Sequence, residues 1–296
     1  MSSENIRTVA ILGAGTMGHG IAQVTAQTGF RTFLYDVTRE GANAGLSKIK
    51  GALDRVVSKG KLSADEASSI TNRITATADL GEAVSGADWV IEATPEIMDL
   101  KVSLFSKVAE LAPATTRLAS NTSSLSLTEL GARTKQASRL IGLHFFNPPP
   151  VMELVEIVRG LSTTDATVDE ALSFVKEIKK TPIVVNDVPG FASSRLGVAL
   201  GAEAMRMVEQ GVASPADIDR AMELGYRHPM GPLKLTDLVG LDVRLAILEH
   251  LHRELGEVFR PPVLLRQMVR AGKLGKKTGE GFYRWTDAGP EPITRR

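Results

Sequence analysis

Residues 6–36 read IRTVAILGAGTMGHGIAQVTAQTGFRTFLYD. Residues 6–12 are mostly apolar, rich in β-branched side chains, and break at Gly13, which is the pattern of a buried strand. From Thr16 the spacing changes: Met17, Ile21 and Val24 recur at helical intervals, and Gly29 supplies a stop. Residues 31–36 (RTFLYD) return to strand composition. Strand, glycine turn, helix and strand in one short segment predict a βαβ unit with parallel strands.

The same alternation continues outward. A helix is expected over about 39–58, with apolar strands at 88–92 (DWVIE), 116–120 (TRLAS) and 139–144 (RLIGLH). Helical segments at 98–110 and 126–132 lie between them, and strands at 151–157 and 182–186 (PIVVN) flank a helix at 165–180. Strands alternating with helices predict an α/β, Rossmann-type doubly wound sheet, mostly parallel. After Val188-Pro189-Gly190 no strand pattern is seen to about residue 280. Helical patterns instead fall at about 190–211, 215–224, 232–255 and 262–271, with Ser214 as a cap and Pro215 in a first turn. The expectation is two domains, residues 1–187 and an all-α C-terminal domain over 188–296.

Composition narrows the function classes. The chain has 296 residues, 43% of them apolar and 23% charged, so a buried core is expected. A net charge of +1 gives no electrostatic case for nucleic acid or a membrane surface. With no cysteine there is no disulfide, thiolate metal site or cysteine nucleophile, and no metal is expected. The first apolar run is too short for a signal peptide, and none reaches membrane-span length, so a cytoplasmic protein is expected.

The turn after the first strand is Gly13-Ala14-Gly15-Thr16-Met17-Gly18, a G-x-G-x-x-G between strand and helix, the context such a motif requires. Gly13 permits the tight turn, Gly15 lets backbone approach a pyrophosphate, and Gly18 lets helix pack on strand. Gly13, Gly15, Thr16, Met17 and Gly18 are therefore candidate dinucleotide-binding residues, with phosphates at the helix N-terminus. Asp36 closes the second strand, where a carboxylate can bond both ribose hydroxyls and would repel a 2′-phosphate, so NAD is favoured over NADP. Arg39 argues the other way, and a glycine-rich turn in another kind of α/β protein is the structural alternative.

Residues 142–157, GLHFFNPPPVMELVEI, raise a second candidate. Pro148, Pro149 and Pro150 lack backbone donors and fix φ, so they predict a rigid reversal from the strand ending at His144 into the run 151–157. In that run Met152, Leu154 and Glu156 share one face. A carboxylate among apolar residues is costly unless paired, and His144 is the nearest partner. Histidine suits proton transfer near neutral pH, and a carboxylate on its far nitrogen fixes ring and tautomer. A core histidine bonded to backbone is the bland alternative.

Together with VAILGAGTMGHGIAQ, EATPE, ASNTSSL, DVPGF, HPMGP and GKKTGEGFY, that stretch resembles the L-3-hydroxyacyl-CoA dehydrogenase family, including bacterial 3-hydroxybutyryl-CoA dehydrogenases. The matches run in order from residue 9 to residue 283. The resemblance implies NAD as cofactor, an acyl-CoA thioester substrate, a homodimer through the helical domain and an active site between the domains. It implies a catalytic pair at His144 and Glu156, an active-site serine at Ser123, and a nicotinamide-side asparagine at Asn147. It also implies NAD contacts at Asp36, Glu96, Lys101 and Lys277, and a coenzyme A contact at Lys59. Read from the residues alone, Ser123 equally suits a helix cap and Asn147 a turn residue before proline. Lys48, Arg55 and Lys59 would form a basic stripe opposite Leu46, Ile49, Leu53 and Val56, which suits either phosphates or a solvated face.

Two positions depart from the family pattern. Ser194 stands where asparagine is usual beside the catalytic histidine and substrate, and Ala52 replaces a serine that partners the coenzyme A lysine. Three functions follow for comparison: oxidation of an L-3-hydroxyacyl-CoA, oxidation of a free 3-hydroxy acid of gulonate or carnitine type, and a non-enzymatic NAD-binding protein. Met205, Met207, Leu224, Leu233, Leu238 and Leu241 make the helical half look too apolar for a monomer surface, which also points to a homodimer.

Overall fold

A computed structural model describes residues 7–293. Ile6, where the sequence reading begins the first strand, and the extreme termini of both expected domains lie outside the described residues. The chain divides into two compact units, Met1–Val188 and Pro189–Arg296.

The first unit is built on one eight-stranded sheet in the order β3-β2-β1-β4-β5-β6-β7-β8. Along the chain the elements are β1 (Thr8–Leu12), α1 (Thr16–Gln27), β2 (Arg31–Tyr35), α2 (Arg39–Ser58), α3 (Ala64–Asn72), β3 (Ile74–Thr77) and α4 (Leu80–Val84). They continue as β4 (Trp89–Glu92), α5 (Met98–Leu111), β5 (Arg117–Ser120), α6 (Leu127–Thr134), β6 (Leu140–Phe145), β7 (Leu154–Arg159), α7 (Asp165–Glu177) and β8 (Thr181–Asn186). Every pairing from β3 across to β6 is parallel, whereas β7 pairs antiparallel with β6 and parallel with β8. This is the doubly wound arrangement, with strand order reversing between β1 and β4. The C-terminal ends of the first six strands, and the start of β7, therefore share one edge.

Burial explains the strands. Val9 to Leu12 and Trp89 to Ile91 are all buried in the sheet centre. Each such side chain contributes about 1.5–3 kcal/mol relative to exposure. Trp89 stacks on Phe174 of α7 at 4.8 Å, which fixes that helix to the sheet. An added Cβ at Gly18 would stand 1.7 Å from the Gly13 carbonyl oxygen, so α1 approaches the turn at a distance only glycine allows.

Three elements of this unit were not read from sequence, α3, β3 and α4, and β3 extends the sheet beyond β2. A further correction concerns β7, which begins at Leu154 rather than 151 and runs on to Arg159. Residues 151–153 belong to the turn, where the Val151 and Met152 N–H groups both bond to the Pro148 carbonyl, at 3.0 and 3.1 Å.

The second unit contains α8 (Ser193–Glu209), α9 (Pro215–Arg220), α10 (Pro232–Val239), α11 (Leu241–Leu255) and α12 (Val263–Arg270). Ser214 caps α9 by accepting the Asp217 N–H, with Pro215 in the first turn. The stretch read as one helix over 232–255 is two, because Gly240 adopts φ +102° between α10 and α11. Beyond the helices lies an antiparallel hairpin, β9 (Tyr283–Thr286) and β10 (Gly289–Pro292), which the helical expectation did not include. Two buried aspartates tie it down. Asp219 accepts from the Leu233 and Lys234 N–H groups and the Tyr283 hydroxyl, while Asp237 accepts from the Phe282 and Tyr283 N–H groups and the Trp285 ring. Met205, Leu233 and Leu241, read above as surface residues, are instead fully buried in this unit's core; Leu224 and Leu238 do remain exposed.

Candidate active site

In the first unit, the sequence candidates gather at the C-terminal edge of the sheet. Gly13 takes φ +103° and donates its N–H to the Tyr35 carbonyl at 2.8 Å, which turns the chain out of β1. An added Cβ at Gly15 would meet nothing within 4 Å, so its openness is room for something outside the protein. No side chain caps α1 after Gly15, and the first-turn N–H groups from Thr16 to Gly18 offer themselves to an anion. Asp36 sits just past β2 and accepts the Ala14 N–H at 2.9 Å, fixing a carboxylate beside the glycine turn. Arg39, the argument for NADP, donates instead to the Ala76 carbonyl at 2.8 Å. Nearby is a cleft of about 820 Å³ lined by Tyr35, Val37, Leu80, Leu100 and Leu104. Val37 is 79% exposed, an apolar surface suited to the flat face of an adenine ring. Open glycine, uncapped helix, fixed carboxylate and a neighbouring cleft of mixed polar and apolar lining together fit NAD.

Beside the turn runs a polar network out of β4. Glu92 is fully buried, and Oε1 accepts from Lys101 Nζ and from the Thr94 N–H and hydroxyl, each at 2.6 Å. Its other oxygen accepts from the Ser120 hydroxyl at 2.6 Å. Lys101, itself 1% exposed, stands 3.4 Å from Glu96 Oε2. Glu96 in turn accepts from the Thr122 hydroxyl at 2.6 Å, the Ser123 N–H at 2.9 Å and the Ser124 N–H at 3.1 Å. Burial pushes the Glu96 carboxyl up, but the bonds from Thr122, Ser123 and Ser124 and the Lys101 charge outweigh it and hold it below the ordinary carboxylate value. Ser123 is thus held by its backbone, exposed, at the end of β5. It is not a helix cap: Ser126 fills that role for α6 by accepting the Glu129 N–H. Glu92 and Ser120 were not singled out from the sequence; EATPE and SNTSS contain them, but nothing local marks them as partners.

His144 and Glu156 are direct cross-strand partners on β6 and β7. Opposed residues in an antiparallel pair project to the same face, so the register itself brings the two side chains together. His144 Nδ1 lies 2.7 Å from Glu156 Oε2, with Glu156 fully buried and His144 7% exposed. Ile183 of β8 is the other cross-strand neighbour of Glu156. Asn121 Oδ1 accepts the Phe145 N–H at 2.9 Å and ties the ends of β5 and β6 together. Asn147 is exposed in the following turn, and its peptide bond to Pro148 is cis.

This geometry suits a dinucleotide site beside a histidine–carboxylate pair, and comparison with known proteins gives the family. Residues 8–188 match the NAD-binding domain of 3-hydroxyacyl-CoA dehydrogenase, and residues 190–285 match that enzyme's C-terminal domain. The chain belongs to the 3-hydroxyacyl-CoA dehydrogenase family. It is 48% identical to a probable 3-hydroxybutyryl-CoA dehydrogenase of Bacillus subtilis, covering 94% of this chain and 97% of that one. It is 40% identical to the 3-hydroxyadipyl-CoA dehydrogenase of Escherichia coli, covering 95% of this chain and 59% of that one. The crystal structure of (S)-3-hydroxybutyryl-CoA dehydrogenase from Ralstonia eutropha superposes with a TM-score of 0.91 at 42% identity, covering 96% of this chain and all of that one.

The remaining candidates of this dehydrogenase lie elsewhere. Ser194 is half-buried in the first turn of α8. Lys277 donates to both oxygens of Asp242 at 2.6 Å, and this bonding holds the Asp242 carboxyl below its usual value. Both belong to the helical unit. Lys59 is the exposed C-cap of α2, a helix of 20 residues. At 1.5 Å per residue that places Lys59 about 30 Å along α2 from the end near Asp36. Lys48 and Arg55 are exposed on the same helix, opposite buried Ile49 and Leu53. Among the described residues, none of these three cations forms an ion pair with Glu96.

Proposed function

We propose that the protein catalyses the reversible, NAD-dependent oxidation of a short-chain L-3-hydroxyacyl-CoA, such as 3-hydroxybutyryl-CoA, to the 3-oxoacyl-CoA. The observation that carries the chemistry is the 2.7 Å contact between His144 Nδ1 and Glu156 Oε2, on the sheet edge that holds the glycine turn. With Nδ1–H donated to the carboxylate, Nε2 is the basic nitrogen, and it takes the proton of the C3 hydroxyl. Glu156 stabilises the imidazolium that forms and prevents the ring from turning. NAD, when bound, accepts the hydride that leaves C3. Alcohol, NAD and neutral His144 thus become ketone, NADH and protonated His144.

In this reading the Ser123 hydroxyl bonds the substrate oxygen, which is supported by its exposure beside Glu96, the acceptor of both its N–H at 2.9 Å and, more loosely, its hydroxyl at 3.4 Å. Asn147 and Ser194 line the reacting groups in this reading, while Glu96, Lys101 and Lys277 contact NAD. Lys59, with Lys48 and Arg55 on the same exposed face, meets coenzyme A phosphates. A homodimer through the helical domain is supported by exposed Leu224, Tyr226, Leu235, Leu238 and Val243. A place in fatty acid β-oxidation and a cytoplasmic setting complete the reading. Absence of cysteine suits a reducing compartment, and no helix among the described residues is long and apolar enough to cross a membrane.

Purified protein supplied with NADH and acetoacetyl-CoA is expected to consume NADH. No loss of NADH absorbance would remove this substrate class. Ser194 and Ala52 leave room for a second reading, a free 3-hydroxy acid of gulonate or carnitine type. Faster turnover of free acids than of thioesters in one substrate panel would establish it.

A further inference from the structure

Glu156 holds one nitrogen of His144, and a second side chain meets the imidazole ring itself. The Phe146 ring stands 4.7 Å from the His144 ring, centroid to centroid, with the two planes inclined by 47°. Strand alternation accounts for the contact. Residues two apart project to one face, so His144 on β6 and Phe146 just beyond its end share a side, while Phe145 between them is buried on the other. The backbone carrying Phe146 is held on both sides. Before it, the Phe145 N–H donates to Asn121 Oδ1 at 2.9 Å. After it, an ideal Cβ on Gly20 would stand 2.8 Å from Pro149 Cδ, so the buried Pro149 lies directly against α1. The half-buried phenyl ring is therefore a fixed neighbour of the imidazole.

Two aromatic rings at this separation pack favourably whatever their charge. The reaction changes the charge of one of them. As the base of the proposed function, His144 is neutral until the C3 hydroxyl proton reaches Nε2, and an imidazolium afterwards. A phenyl ring carries negative charge density on its faces and attracts a cation within about 6 Å of its centroid. We propose that Phe146 is a positioning residue that acts through His144, its ring stabilising the imidazolium that forms as the alcohol is oxidised. Neutral imidazole gains little from the same contact, so the stabilisation develops with the transition state and speeds the chemical step. Burial strengthens it, because His144 is 7% exposed and Glu156 fully buried, and little water competes for the charge. The choice of a phenyl ring also has a reason. It lowers the energy of the cation without taking up either ring nitrogen, which leaves Nδ1 to Glu156 and Nε2 to the substrate.

This role rests on His144 being the base, and the test separates the two. NAD-dependent oxidation of 3-hydroxybutyryl-CoA is followed for the natural protein, His144→Ala, Phe146→Leu and Phe146→Tyr. It is also followed for proteins in which phenylalanine analogues with one, two and three ring fluorines are installed at position 146. Fluorine draws electron density from the ring face and nearly preserves the ring's shape, so these proteins keep the packing and lose the attraction. NADH affinity by fluorescence and the urea unfolding midpoint are measured on each. The expected result is a kcat that falls with every added fluorine, by about three- to thirtyfold across the series, with KM, NADH affinity and unfolding midpoint unchanged. Phe146→Tyr keeps the natural kcat and Phe146→Leu loses as much as the most fluorinated ring. A kcat constant within about twofold across the fluorine series overturns the inference, even with Phe146→Leu impaired, since packing alone then explains the ring; the reaction class stands. A fluorine series that moves KM and leaves kcat alone overturns it too, because the ring then meets the substrate rather than the imidazolium. Unchanged turnover by His144→Ala, or no turnover by the natural protein, sinks the parent reading and the role of Phe146 with it.

Discussion

Glu92 and Arg244 are both charged side chains withdrawn from water, and the two units treat them in opposite ways. Glu92 meets Lys101, Thr94 and Ser120 within bonding distance. Arg244 is 6% exposed and keeps a buried Nε without a partner. The first is a satisfied network, whose outward end, Glu96, accepts the Ser123 N–H. The second is an incomplete one. Burial of a charge by itself therefore says little about its energetic worth; what matters is whether its hydrogen-bonding groups are satisfied.

Breaking the closed network should have the largest effect. Lys101→Met leaves Glu92 buried without its cation and is expected to cost about 3–5 kcal/mol in urea unfolding. The same replacement at Arg244 should have the opposite sign. Arg244→Met keeps the aliphatic stem and removes an unsatisfied donor, so it is expected to stabilise by about 1–2 kcal/mol. A destabilised Arg244→Met would show that the guanidinium has a partner after all. Ser126→Ala removes the cap of α6 and should cost about 1 kcal/mol by the same measurement. The smallest effect concerns Glu96. Its folded carboxyl titrates below its unfolded value, so it contributes stability that is present above the unfolded value, near pH 4.5, and lost as pH falls through the folded one. At 35% side-chain exposure the contribution is screened. Glu96→Gln should therefore flatten the acid limb of a stability–pH curve slightly, and an unchanged limb would show that Glu96 is not held as described.

The sheet centre and the two turns were legible because their signals are dense. β1 is a run of buried residues ending at a glycine, and three consecutive prolines leave the chain few ways to turn. The hidden parts have weak signals. β3 is four residues, ITAT, of which only Ile74 and Thr77 are buried, and α4 is five residues long. Pro290 and Pro292 disguise β10, since proline argues against a strand. His144 and Glu156 could be paired from sequence, but only the β6–β7 register shows them directly opposed. Arg244 could not be found in advance: in VRLAI it reads as a surface arginine, and its burial is decided by how α11 lies against α8.

The central claim is that His144, oriented by Glu156, moves the proton of a 3-hydroxyacyl-CoA. It is tested most directly by following NADH consumption with acetoacetyl-CoA for the natural protein and for His144→Ala side by side. Steady turnover is expected of the first and a rate lower by about 10²–10⁴-fold of the second, the worth of a positioned acid–base group. Equal rates for the two proteins would contradict it.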